Sequence, residues 1–166
     1  MPARPLIRVL FLDLDGTVRR SKDASGFINK PEDVEVYPEA KEQIGKALWN
    51  DWYVCYVSNQ GGIAAGFTTH ADFTEGVNET NRQLGLVSGA IKLVYCPHAV
   101  NANCICRKPR PGMVADILMD QVLPVDVSQC LFVGDRPEDE GCAQACGIPF
   151  MWAKDWRKGN YAYKEF

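Results

Sequence analysis

Five short apolar runs, separated by stretches with helical patterning, constrain what this chain can fold into. The runs are Arg8–Leu12 (RVLFL), Tyr53–Val57 (YVCYV), Ile91–Tyr95 (IKLVY), Cys130–Val133 (CLFV) and Pro149–Trp152 (PFMW). Each has the length and β-branched or aromatic content of a buried strand. Between them, Glu39–Asn50, Thr69–Leu84, Pro111–Val122 and Glu138–Cys146 read as helices. Pro38 sits near the first turn of the first helix, where its missing N–H is harmless. Thr69 is placed to cap the second, and Gly85 and Gly147 to stop the second and fourth. Strands alternating with helices predict an α/β fold with a parallel sheet covered on both faces.

Ligands of such sheets bind beyond the carboxyl ends of the strands. The polar clusters of this chain fall there. Asp13-Leu14-Asp15 follows the first strand, Ser58-Asn59-Gln60 the second and Asp135 the fourth. Two carboxylates one residue apart repel unless a cation sits close by. Their oxygens suit magnesium. Gly16 lets the chain turn sharply and bring amides to a bound phosphate.

The 166 residues are read as one domain over 1–166, with 46% apolar residues for its core and 23% charged. The net charge of −3 gives no general attraction to nucleic acid. The amino-terminal segment lacks the features of a signal peptide, because its apolar run is short and interrupted by Arg8. No stretch approaches the about 18 apolar residues of a membrane span. Seven cysteines cannot pair completely within one chain, so reduced thiols and a cytoplasmic location are expected.

Four of the metal-binding residue types cluster in one short segment. Cys96 and His98 are followed by Cys104 and Cys106. Three thiols and an imidazole make a closed tetrahedral set for structural Zn²⁺. A Cys104–Cys106 disulfide is disfavoured by geometry. Cys55 and Cys130 lie inside strand patterns and read as core thiols. Cys142 and Cys146 share a helix face and read as packing residues. His70 reads as a solvated helix residue, and the four tryptophans show no cage spacing. The tail Lys154–Phe166 is left open between packing across the domain and lying near the substrate.

An apolar strand ending in Asp13-x-Asp15-Gly16-Thr17, Ser58 after the second strand, Lys108 before Pro109-Arg110-Pro111-Gly112, and Asp135 with Asp139 after LFV occur in that order. This series resembles the haloacid dehalogenase superfamily of phosphatases over Leu10–Asp139. The resemblance implies a Rossmann-like fold and a phosphomonoester hydrolase. It makes Asp13 the nucleophile, and Asp15 first general acid and then base. It makes Ser58 and Lys108 ligands of the phosphoryl oxygens. Asp13, Asp135 and the Asp15 backbone carbonyl become the Mg²⁺ ligands. Asp139 has two readings: a residue that orients Lys108 or a metal-bound water, or a first-turn helix acid favoured by the dipole.

The run from Cys96-Pro97-His98 to Cys104-x-Cys106-Arg107-Lys108 and the string SNQGGIAAG are similar to the zinc-loop phosphatases of this group. Those include histidinol-phosphate phosphatase and D-glycero-D-manno-heptose-1,7-bisphosphate phosphatase. The similarity implies a small phosphorylated metabolite as substrate, no large cap domain, and Arg107 and Asn59 as substrate contacts. Leu14 departs from the basic or polar residue usual between the two aspartates there. DLDGT with SNQ is also similar to polynucleotide 3′-phosphatases, so a nucleic-acid substrate stays as the alternative. Gly26–Pro38 reads as a substrate-facing flap in either case. A non-catalytic binding module is the third reading, disfavoured because Asp13, Asp15, Lys108 and Asp135 are all present.

Overall fold

The computed structural model describes residues 6–121 and 124–163. Five parallel strands form the sheet: β1 (Val9–Leu12), β4 (Tyr53–Asn59), β5 (Lys92–Cys96), β6 (Leu131–Gly134) and β7 (Phe150–Trp152). Their spatial order is β5-β4-β1-β6-β7. β1 is therefore central, with Leu10 opposite both Val54 and Leu131. The chain winds outward from β1 first through β4 and β5, then through β6 and β7. The reversal opens a crevice at the carboxyl end of β1, where Asp13 begins.

Side chains alternate across this sheet with period two. Leu10, Leu12, Val54, Tyr56, Leu131 and Val133 pack with α1 (Pro38–Trp49), α2 (His70–Leu84) and α5 (Ala153–Arg157). Val9, Phe11, Cys55, Val57 and Phe132 pack with α3 (Gly112–Met119) and α4 (Pro137–Cys146) on the other face. Cys130 and Cys142 belong to this second core as free thiols. The caps expected from the sequence are present. Thr69 Oγ1 accepts from the Asp72 amide, and Gly85 and Gly147 adopt left-handed φ of 79° and 68°. His70 is exposed on α2, with Nδ1 2.8 Å from the Tyr95 hydroxyl.

Element ends differ from expectation by at most three residues, and several coincide with it. β4 runs on through Ser58 and Asn59, because both continue the ladder to β5. α3 stops at Met119, with Asp120 as its cap; Val122, the expected end, lies outside the described residues. Two features were not anticipated as regular structure. β2 (Arg19–Ser21) and β3 (Val34–Val36) form an antiparallel hairpin between β1 and α1. Three residues per strand are too few to show a period. This hairpin is the flap, and its connection carries Gly26–Asn29 toward the crevice. The second feature is α5, which resolves the tail. Trp156 is fully buried and its indole N–H donates to the Tyr163 hydroxyl at 2.7 Å. Tyr161 and Tyr163 meet Trp52 edge-on. The tail thus packs across the domain, while residues 164–166 lie outside the described set. Among the described residues no helix is long and apolar enough to cross a membrane.

Candidate active site

The floor of the crevice is a cluster of opposite charges. Asp13 leaves β1 with its amide bonded to the Val133 carbonyl at 3.0 Å, which sets it at the seam of β1 and β6. Lys108 reaches it from a loop far along the chain. Its Nζ donates to Asp13 Oδ1 at 2.8 Å and to the Val57 carbonyl at 2.7 Å, and lies 2.6 Å from Asp139 Oδ1. Only 2% of Lys108 is exposed. Burial works against its charged form, but Asp13 and Asp139 outweigh that and hold the ammonium above the usual lysine value. Thr17 Oγ1 lies 3.3 Å from the other Asp13 oxygen.

Asp139 lies in the first turn of α4 and also pairs with Lys108. One oxygen pairs with Lys108, and the other accepts the amides of Asp135 and Arg136 at 3.1 Å each. It therefore orients the lysine and ties down the loop entering α4. Carboxylate oxygens of Asp13, Asp135 and Asp139 lie within 4.8 Å of one another. Burial, then the nearby Asp13 carboxylate, pushes the Asp135 carboxyl up to about 7. Three carboxylates facing one ammonium leave an excess of negative charge at hard oxygen donors, which fits a magnesium ion. Gly16 is needed beside them. Its φ is +88°, and a Cβ there would collide with the Asp135 carboxylate.

Asp15 is fixed from two sides. Arg19 Nε donates to Oδ1 at 2.7 Å and Gln60 Nε2 to Oδ2 at 3.0 Å. Arg19 is itself buried and anchored on Thr80 of α2 at 3.1 Å. The same Gln60 nitrogen lies 2.8 Å from Ser58 Oγ, which links the end of β4 to the end of β1. Asn59 exchanges two hydrogen bonds with the Lys108 backbone, at 3.1 Å and 2.9 Å. Its amide is thus committed to placing Lys108, although the residue also lines the cavity. From the tail, Arg157 Nη1 donates to the carbonyls of Gly16 and Thr17 at 2.9 Å and 2.8 Å. Leu14 is fully buried in the core shared with α1 and α2, so its departure from the zinc-loop pattern places no side chain at the substrate.

The four predicted zinc ligands converge. Cys96 Sγ lies 3.6 Å from Cys104 Sγ and 3.4 Å from His98 Nδ1, and that nitrogen lies 3.2 Å from Cys106 Sγ. A tetrahedral metal with sulfur bonds of about 2.3 Å has sulfur–sulfur edges of about 3.8 Å, so the spacing fits such a shell. Arg110 braces the loop through the Cys104 carbonyl and Asn103. Gly112 is pressed against the Ile105 backbone, where a Cβ would collide. Arg107 follows the last thiol; its Nη1 donates to the His98 carbonyl at 3.3 Å and it lines the cavity. That cavity, about 490 Å³, has Asp13, Asp15 and Ser58 at its base.

A carboxylate beside a buried lysine thus sits at the switch point of this sheet. The family model described as polynucleotide kinase 3 phosphatase matches residues 8–160. The chain belongs to this family of haloacid-dehalogenase-type phosphatases. It is 34% identical over 144 residues to the D-glycero-beta-D-manno-heptose-1,7-bisphosphate 7-phosphatase of Pseudomonas aeruginosa, covering 82% of this chain and 75% of that one. It is 31% identical over 147 residues to the enzyme of that name from Bordetella bronchiseptica, covering 87% and 80%. The crystal structure of D,D-heptose 1.7-bisphosphate phosphatase from B. bronchiseptica, complexed with magnesium and phosphate, superposes with a TM-score of 0.76 at 30% identity. That match covers 87% of this chain and 79% of the other.

Arg19, Gln60, Arg110 and Arg157 carry site geometry that sequence reasoning did not assign. Gln60 stood next to two chosen residues; Arg157 and the Thr80 anchor of Arg19 depend on tertiary packing, while Asp15 and the cysteine loop are near neighbours of Arg19 and Arg110 in sequence. Arg19 generates a prediction for this phosphatase. Arg19→Ala leaves Asp15 held by Gln60 alone, and kcat falls about 10²-fold, the lower end of what general acid–base catalysis contributes. KM changes little. Thr80→Val, which removes the anchor of Arg19 together with the hydroxyl's bond to the Gly76 carbonyl, gives a smaller kcat loss with the same sign. Steady-state kinetics and a thermal melt of each variant check this.

Proposed function

We propose that this phosphatase is magnesium-dependent, works through an aspartyl-phosphate on Asp13, and acts on a small phosphorylated sugar. The observation that carries the reading is the pairing of Asp13 with buried Lys108, with Asp15 held alongside by Arg19 and Gln60. An Asp13 oxygen attacks phosphorus while the ester P–O bond breaks, and Asp15 supplies the proton that the departing alcohol oxygen takes up. Asp15 then removes a proton from the water that attacks phosphorus, and the Asp13–phosphorus bond breaks to release phosphate. Ser58 and Lys108 bind the phosphoryl oxygens. The three polar contacts of Lys108 are all taken in this structure. When Asp13 becomes an acyl phosphate and loses its negative charge, its bond to Lys108 weakens and that donor turns to the phosphoryl group.

Asp13, Asp135 and the Asp15 backbone carbonyl are the groups that would hold magnesium. Bound there, it supplies positive charge against the charge that spreads over the phosphoryl oxygens. Support for magnesium comes from the oxygen donor set, the raised Asp135 carboxyl, and the magnesium and phosphate in the B. bronchiseptica structure. The names of the relatives support a sugar bisphosphate as substrate. We assign structural zinc to Cys96, His98, Cys104 and Cys106. An odd count of seven cysteines, three of them assigned to zinc, supports a reducing, cytoplasmic setting. The description of the matching family keeps a second reading, a polynucleotide 3′-phosphatase.

Both readings meet one experiment. Purified protein with Mg²⁺ is assayed against heptose bisphosphate, other sugar phosphates, histidinol phosphate, nucleotides and a 3′-phosphorylated oligonucleotide. The highest kcat/KM is expected on a sugar phosphate, and Asp13→Asn abolishes turnover on every ester. A preference for the oligonucleotide selects the second reading, and turnover by Asp13→Asn sinks the covalent route in both.

The zinc assignment has its own test. Elemental analysis should find about one zinc per chain, and Cys104→Ser should lower that content. Arg107 and Lys108 follow Cys106 directly, so loosening the loop raises KM at least as much as it lowers kcat. Full zinc content with unchanged kinetics in Cys104→Ser contradicts the assignment.

A further inference from the structure

The cavity has a polar base and an apolar mouth. Asp13, Asp15 and Ser58 lie at the base, while Phe27, Phe67 and Val100 line the same cavity and stay 70%, 72% and 77% exposed. Large apolar side chains left in water are informative when they gather at one concave site. These three come from separate segments: Phe27 from the β2–β3 flap, Phe67 from the loop entering α2, and Val100 from the cysteine loop. The two phenylalanine-bearing segments are also fastened together. Thr68 Oγ1, beside Phe67, donates at 2.8 Å to the carbonyl of Asn29, two residues from Phe27. Thr68 is buried, so this link is a built joint between flap and loop. The leaving group of any ester whose phosphorus sits at Asp13 must occupy the space above the base.

We propose that Phe27 and Phe67 form a clamp for the non-polar face of a ring in the leaving group, so that the enzyme selects esters of ring-form alcohols over open-chain ones. An open-chain polyol exposes hydroxyls in every direction and leaves both phenylalanines without a partner. A ring of about the right size offers a flat face of C–H or π surface and keeps its polar rim free for Arg107 and Arg136, the cations lining the cavity. A pyranose and an aromatic ring both present such a face. The clamp rests on the phosphatase reading for its base, but it concerns the mouth alone. Neither phenylalanine is assigned a part in bond making, so its effect falls on KM.

The test compares three primary-alcohol esters: glucose 6-phosphate, its open-chain counterpart glucitol 6-phosphate, and benzyl phosphate. Wild type, Phe27→Ala and Phe67→Ala are assayed on each. Esters that turn over too slowly are measured as competitive inhibitors of p-nitrophenyl phosphate hydrolysis. Comparing variants on one ester cancels differences in leaving-group reactivity. The expected result is a KM or inhibition constant about tenfold higher for a ring ester in each variant, equivalent to about 1.4 kcal/mol. Glucitol 6-phosphate should stay within about twofold, far below the tenfold that 1.4 kcal/mol represents. A loss on glucose 6-phosphate alone assigns the face to a sugar, and a loss on benzyl phosphate alone assigns it to an aromatic ring; both support the clamp. Equal losses on all three esters, or no loss on any, overturn it. Failure of wild type to hydrolyse any phosphomonoester is a separate outcome, which sinks the proposed function rather than the clamp.

Discussion

The Lys108 ammonium is the contact on which the site depends. It is buried at the seam of the sheet, and a buried charge persists only when paired and hydrogen-bonded. Asp13, Asp139 and the Val57 carbonyl meet that need together. One side chain thereby joins the ends of β1 and β4 to the start of α4. Removing Lys108 itself leaves the Asp13 and Asp139 carboxylates uncompensated in the interior, which costs several kcal/mol, about 3–5 for a buried pair. The same arrangement brings a cation against the carboxylate proposed to attack phosphorus. Fold stability and catalytic geometry are therefore one problem at this position.

Lys108 is placed by residues outside the charge cluster itself. Asn59 holds its backbone through two hydrogen bonds, and Arg110 and Gly112 pack the cysteine loop just upstream and downstream. Soft thiolates serve the loop and hard carboxylates the crevice, so the two proposed metals do not compete. Asp15 is held by an equivalent device on the opposite wall, Arg19 anchored in α2. Arg157 adds a third brace, from the tail to the turn that carries Asp15. The catalytic turn is thus gripped by β4, α2 and α5 at once, which keeps positioning errors small where reaction rates are most sensitive to them.

Much of this was readable in the sequence, for a physical reason. Strands buried on both faces give continuous apolar runs, and the polar residues immediately after them must lie at one edge of a parallel sheet. Asp13, Ser58 and Asp135 were found that way, and the cysteine loop by its ligand types. What stayed hidden depends on contacts between distant segments. Arg19 and Arg157 look like ordinary surface arginines until the hairpin and α5 are in place. The strands of the hairpin are too short to carry a period, and the Lys154–Phe166 tail lacked a pattern because its aromatic residues face different neighbours. The backbone partners of Asn59 became visible only when β4 proved to run two residues further.

The central claim is that Asp13 becomes covalently phosphorylated, and chemical trapping tests it most directly. Wild type and Asp15→Asn protein are mixed with a turned-over ester, acid-quenched within the burst, reduced with borohydride and mapped by peptide mass. An aspartyl-phosphate is reduced to homoserine. The account predicts homoserine at position 13, at higher occupancy in Asp15→Asn, where breakdown of the intermediate is slowed. Turnover without any modified aspartate, or with the label at another carboxylate, contradicts it.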